Sequence, residues 1–174
     1  MKLRILNCPD KDFKPFVSGA VEYYAQELIP DTRIRNNCSV TIKFNNTIDV
    51  YGSAETTGYN SKKQARKFII EIHPGIGAKG ILSTLAHEMI HVKQFIFNET
   101  NEHLSSWHGK KINPDKVDYW KHPWEIDAYG NEVGLMYNYA VKNALWEIFE
   151  DFVDPSWPIT PRPLGWLHLD ELSK

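Results

Sequence analysis

The chain has 174 residues and a formal net charge of −2, a length that suits one domain with a real core. Near-neutral charge without a strongly basic tract gives no support for nucleic-acid binding as the main activity. No stretch is long and apolar enough to span a membrane, and two cysteines, Cys8 and Cys38, outside any Cys-x-x-Cys pair, are too few for a disulfide scaffold.

Residues 1–8 alternate charged and apolar side chains and lack the sustained apolar run of a secretory leader. With both thiols read as reduced, the expected compartment is the cytoplasm. Residues 2–7 read as a strand. Lys11 or Asp12 opens a helix to about Leu28, with Phe13, Val17, Ala20, Val21 and Tyr24 on its apolar stripe, and Pro30 stops it. Val40 to Phe44 alternates at period two and reads as a strand ended by Asn45-Asn46. Residues 48–60 hold a second, irregular strand with Gly52 and Gly58 at turn or bulge points. The basic cluster Lys62, Lys63, Arg66 and Lys67 reads as a solvated loop. Phe68 to His73 is the strongest strand signal, closed by Pro74-Gly75.

A helix is expected over 79–97, on the stripe of Ile81, Leu82, Leu85, Ala86, Met89 and Ile90. Residues 98–121 are polar and aromatic, with a hairpin around Trp107-His108-Gly109-Lys110. Pro123 suits the first position of a long helix to about Phe152. Pro155, Pro158, Pro161 and Pro163 then mark an irregular tail, 155–174, docked on the surface of a single domain spanning 1–154 through some of Trp157, Leu164, Trp166 and Leu167. Together these elements compose an α+β fold. A small mixed or antiparallel sheet packs on the 79–97 helix and on a long C-terminal helix.

The chemistry concentrates in His87-Glu88-Met89-Ile90-His91. Residues four apart on a helix lie nearly above one another, so both imidazoles can point at one Zn²⁺. Glu88, one residue further round, sits beside the metal and can take a proton from an activated water. An ionisable triplet in so apolar a helix is costly unless the groups are paired or bind a metal.

A catalytic zinc site needs a third protein ligand. Glu125, in the first turn of the last long helix and followed by the small Ala128, is the leading candidate and gives a His₂Glu set. His108 is the rival, although Lys110-Lys111 beside it suits a hairpin in water; Asp127, Glu132, His103 and His122 are further candidates. Asp127 and Glu132 also suit the role of partners to the imidazole N–H groups. Tyr119, His122 and Tyr129 are candidates to donate a hydrogen bond to the oxyanion of a tetrahedral intermediate.

Three motifs carry a family resemblance: Ala86 to Gln94 as Ala-His-Glu-x-x-His-x-x-Gln, Trp107 to Lys110 as Trp-x-Gly-Lys, and Pro123 to Ala128 as Pro-Trp-Glu-x-x-Ala. In that order, over roughly residues 50–135, the chain resembles the small zincin-like zinc metallopeptidases, often phage-encoded. The resemblance implies that His87, His91 and Glu125 bind zinc, that Glu88 is catalytic, and that His108 occupies a variable position. It also implies a peptide or protein substrate, met in the host cytoplasm if the chain is phage-encoded. One alternative is an inactive zincin scaffold that binds a partner protein. Another is a SprT-like protease of DNA–protein crosslinks, with His108 as the ligand. The strand 68–73 is further expected to lie at the sheet edge, where an extended peptide can add to it. Cleavage preference and oligomeric state stay open.

Overall fold

Period-two alternation builds the sheet. In β2 (Ser39–Phe44), Val40, Ile42 and Phe44 are buried between half-exposed neighbours. In β4 (Ala65–Ile72), Phe68, Ile70 and Ile72 repeat the pattern. The two strands run parallel, with Val40 opposite Phe68, Ile42 opposite Ile70 and Phe44 opposite Ile72, so all six side chains share one face. β1 (Lys2–Leu6) pairs with β2 in parallel, and β3 (Gly52–Tyr59) pairs with β4 antiparallel. The order is β1-β2-β4-β3, a mixed four-stranded sheet. This computed structural model describes residues 1–145; the expected surface tail, 155–174, lies outside them.

Parallel neighbours need a long crossover. Between β1 and β2 it is made by α1 (Lys14–Leu28) and the short α2 (Thr32–Asn36). α3 (Gly77–Ile96) follows β4 and packs against β3, β4, α1 and α4 (Pro123–Lys142). It is therefore apolar on most of its circumference, with Leu82, Leu85, Ala86, Met89 and Val92 fully buried. Two buried phenols tie the helices: Tyr24 donates to Leu82 O at 3.2 Å and Tyr139 donates to Phe16 O at 2.8 Å. The architecture is α+β, and among the described residues no helix is long and apolar enough to cross a membrane. Cys8 and Cys38 are free thiols.

Several elements depart from the sequence expectation. α1 opens at Lys14, because the Asp10 carboxylate takes the Asp12 N–H at 2.7 Å and holds those residues in a turn. α2 is unforeseen; Asp31 caps it by accepting from the N–H of Arg33 at 2.7 Å and of Ile34 at 3.3 Å. Arg66 and Lys67 belong to β4, so the loop reading of the basic cluster fails for them. α4 ends at Lys142, ten residues short of Phe152. Ala144 takes a left-handed φ of 53° and Leu145 donates back to Ala140 O at 3.0 Å, a stop signal written without glycine. The strand before α3 is not at the edge: β4 is flanked by β2 and β3, and β3 is the edge strand on that side.

The hairpin is present as β5 (Ser106–Trp107) and β6 (Lys110–Lys111). Its two turn residues, His108 and Gly109, both have positive φ, 44° and 78°, as a two-residue turn matched to strand twist requires.

Candidate metal centre

α3 presents His87 and His91 one turn apart, and α4 brings Glu125 against them from its own first turn, two residues after Pro123. All three are buried. Their candidate donor atoms lie within 4.8 Å of one another. The two Nε2 atoms are 3.1 Å apart; Glu125 Oε2 is 3.3 Å from His87 Nε2, and Glu125 Oε1 is 3.7 Å from His91 Nε2. A tetrahedral ion with bonds of about 2.0–2.1 Å separates its ligand atoms by about 3.3 Å, so the spacing fits.

Tautomers sharpen the fit. His87 Nδ1–H donates to the Glu132 carboxylate at 2.7 Å, so in the neutral ring it is Nε2 that carries the lone pair facing the site. Gln94 does the same for His91. Its NH₂ donates to Trp124 O at 2.9 Å and Asp127 Oδ2 at 3.0 Å, so its Oε1 accepts from His91 Nδ1–H at 2.9 Å. Two lone pairs and a carboxylate thus converge in a buried space. Glu125 Oε2 is fully enclosed and accepts no hydrogen bond of acceptable geometry. Such a constellation is costly unless a cation completes it. The residues His87, His91 and Glu125 are therefore able to hold a metal ion.

Protons compete for the same atoms. Burial pulls His87 down, but Glu125 and Glu132 outweigh it and raise the imidazole to about 9, so a cation would have to displace a proton from Nε2. Burial likewise opposes, and the two imidazoles override, so that the Glu125 carboxyl sits well below the usual carboxylate range. Glu88 behaves oppositely: burial pushes it up to about 7, against the pull of His91 and His87.

Glu88 owes its position partly to Gly52, the first residue of β3. A Cβ there would lie 2.4 Å from Thr84 Cγ2 and 3.1 Å from Glu88 Oε1. Thr84 and Glu88 are one turn apart on α3, so the missing side chain is what lets the edge strand settle on the helix face that carries the base. In front of them opens a cleft of about 1070 Å³, lined by Asp49 to Gly52, by Ser83, Thr84, His87 and Glu88, and by Tyr119, Trp120, Tyr129 and Glu132.

The other sequence candidates divide cleanly. The Tyr119 hydroxyl faces Tyr129 and Glu125; burial and these neighbours hold the phenol well above its ordinary range, hence protonated. The Tyr129 ring meets His87 edge-on at 4.6 Å. His122 turns away and bonds Pro114 O at 3.2 Å. Asp127 does not touch an imidazole; it reaches His91 only through Gln94. His103 and His108 are exposed, and neither joins a ligand group among the described residues. Gln94 and Gly52 carry roles that sequence reasoning missed. Gln94 had a signal, being an uncharged polar residue one turn from His91 and followed by the apolar Phe95-Ile96-Phe97; the closeness of Gly52 to α3 had none. Comparison of the chain with protein-family models, curated proteins and solved structures gives no match.

Proposed function

We propose that the chain is a zinc-dependent peptidase in which His87, His91 and Glu125 hold the metal and Glu88 is the general base. The observation that carries this reading is one juxtaposition: a buried carboxyl raised to about 7 stands next to a triad suited to a cation, and this carboxyl and His87 of the triad line one cleft. A site that only stabilised the fold would have no use for such a base.

Zinc at the triad would supply Lewis acidity that makes a water acidic near neutral pH and polarises a carbonyl. The chain's residues do the rest. Glu88 takes the proton of the attacking water and hands it to the departing amine, a relay suited to a carboxyl poised near neutrality. Tyr119, kept protonated beside Glu125, is the donor for the oxyanion; His122 is committed to Pro114 O. Glu132 and Gln94 hold the imidazoles in the tautomer the triad requires. An extended substrate pairs with β3, the edge strand whose first residue touches the base, rather than with β4.

The test is zinc content followed by cleavage of an unfolded protein. Wild type and His108→Ala should carry one zinc per chain, and Glu125→Ala should lose it. Glu88→Gln should keep zinc and lose cleavage. Zinc lost only with His108→Ala would move the chain to the SprT-like geometry. Cleavage undiminished by Glu88→Gln would remove Glu88 as the general base and, with it, the peptidase mechanism.

A further inference from the structure

The cleft beside Glu88 holds two kinds of side chain that the hydrolytic residues leave unused. The first is aromatic. Trp120 is 67% exposed, yet it is pinned: its ring lies tilted against Tyr129 at 5.2 Å and meets Tyr119 edge-on at 5.4 Å, and its backbone N–H is held by the Asp118 carboxylate at 3.0 Å. Tyr51, from the loop before β3, is 73% exposed in the same cleft. Two large rings open to water in one cleft, one of them held by its neighbours, mark a surface built to be covered.

The second kind is acidic. Asp49 lines the cleft, is exposed, and has no hydrogen-bond or ion-pair partner among the described residues. Among the described residues no lysine or arginine lines the cleft. Asp49, Glu88 and Glu132 line the cleft and Glu125 belongs to the adjoining triad, so these carboxylates outnumber the charge of one divalent ion held there and the cleft would stay negative when loaded. Exposed ring faces beside an uncompensated carboxylate suit a cation on an apolar stem above other chemistries. A neutral apolar side chain would use the rings but desolvate Asp49 for nothing, and an acidic one would be repelled.

We propose that the cleft selects polypeptide segments carrying a lysine or arginine beside the bond to be cut, the stem lying across Trp120 and the charge facing Asp49. The proposal rests on the peptidase reading for its substrate, but the binding preference itself needs no hydrolysis. The two can therefore fail separately.

The experiment uses the zinc-loaded, full-length Glu88→Gln protein. Its ligands are N-acetylated, C-amidated peptides of serine, glycine and alanine that carry a single arginine, norleucine or glutamate. Blocked termini remove other charges. Titration calorimetry should show the arginine peptide binding about tenfold more tightly than the norleucine peptide, and the glutamate peptide binding weakest. High salt should narrow the difference. Adding Asp49→Asn should erase the preference for arginine over norleucine, and Trp120→Ala should weaken both peptides. Neither residue belongs to the triad, so zinc content should not move, and Asp49→Asn, which breaks no contact, should leave the melting temperature unchanged as well. Norleucine bound as tightly as arginine, a preference that survives Asp49→Asn, or no binding of any peptide would each overturn the proposal. Wild-type cleavage of the arginine peptide is scored apart: binding without cleavage would keep the cation site and remove the peptidase.

Discussion

Gln94 shows how much one side chain settles. Its amide is completely buried and saturated: one oxygen on His91, two N–H groups on α4. Gln94→Ala should weaken zinc binding by about 10–100-fold, read by competition with a chromophoric chelator, and helix content should hold. Gln94→Glu should be no rescue, because its carboxylate would face that of Asp127. Gly52 makes a different prediction. Gly52→Ala overpacks the contact with Thr84 and should cost about 1–3 kcal/mol in chemical denaturation without loss of zinc; adding Thr84→Ser, which removes the methyl, should return part of it. At this scale legibility tracked locality. His87, Glu88 and His91 are readable because one helical turn relates them. Glu125 was the leading candidate because its setting is local too, a first turn behind Pro123. The pairing of His87 with Glu132, 45 residues away, and of Gln94 with Asp127, 33 residues away, is tertiary, and spacing alone has no means of choosing between Asp127 and Glu132 for the imidazoles.

Elements obey the same division. The strands β2 and β4 and the helix α3 were readable from period two and from a helical stripe, but strand order is not a property of any one strand. β4 looks apolar enough for an edge or a centre, and only the pairing of β3 on its far side makes it central. α4 was overextended because its apolar pattern continues past the point where Ala144 turns left-handed. Ala144→Gly should stabilise the protein by about 1 kcal/mol, since glycine adopts that conformation without the steric cost alanine bears; thermal denaturation would show it. α2 hangs on the Asp31 cap, and the two backbone N–H groups it binds hold its carboxyl below its ordinary value. A depressed carboxyl gives stability that is present above its unfolded pKa, about 3.9, and is lost as pH falls through the folded value. Asp31→Ala should therefore lower the melting temperature near neutral pH, and the gap to wild type should close on acidification below about pH 4.

For the whole molecule, the candidate centre is a seam. α3 brings two ligands and α4 the third, and the Gln94 and Glu132 contacts cross the same seam. An ion bound there joins the halves of the core and acts only on the folded chain. Zinc at a thousand times its dissociation constant should add about 4 kcal/mol to stability. A chelator should remove that increment, and Glu125→Ala should be indifferent to both, as calorimetric scans at fixed zinc would record.

Glu125 and Glu132 stand seven residues apart on one helix, close to two full turns. One carboxylate completes the triad and the other orients His87 within it. A single inserted residue between them would rotate the second by about 100° and separate two duties that now coincide. The same insertion among residues 101–105, between α3 and β5, would fall outside every helix and strand. Length itself thus becomes a marker of constraint. Engineered insertions should be tolerated in that connection and should abolish metal binding between residues 125 and 132, even where every side chain named above is kept.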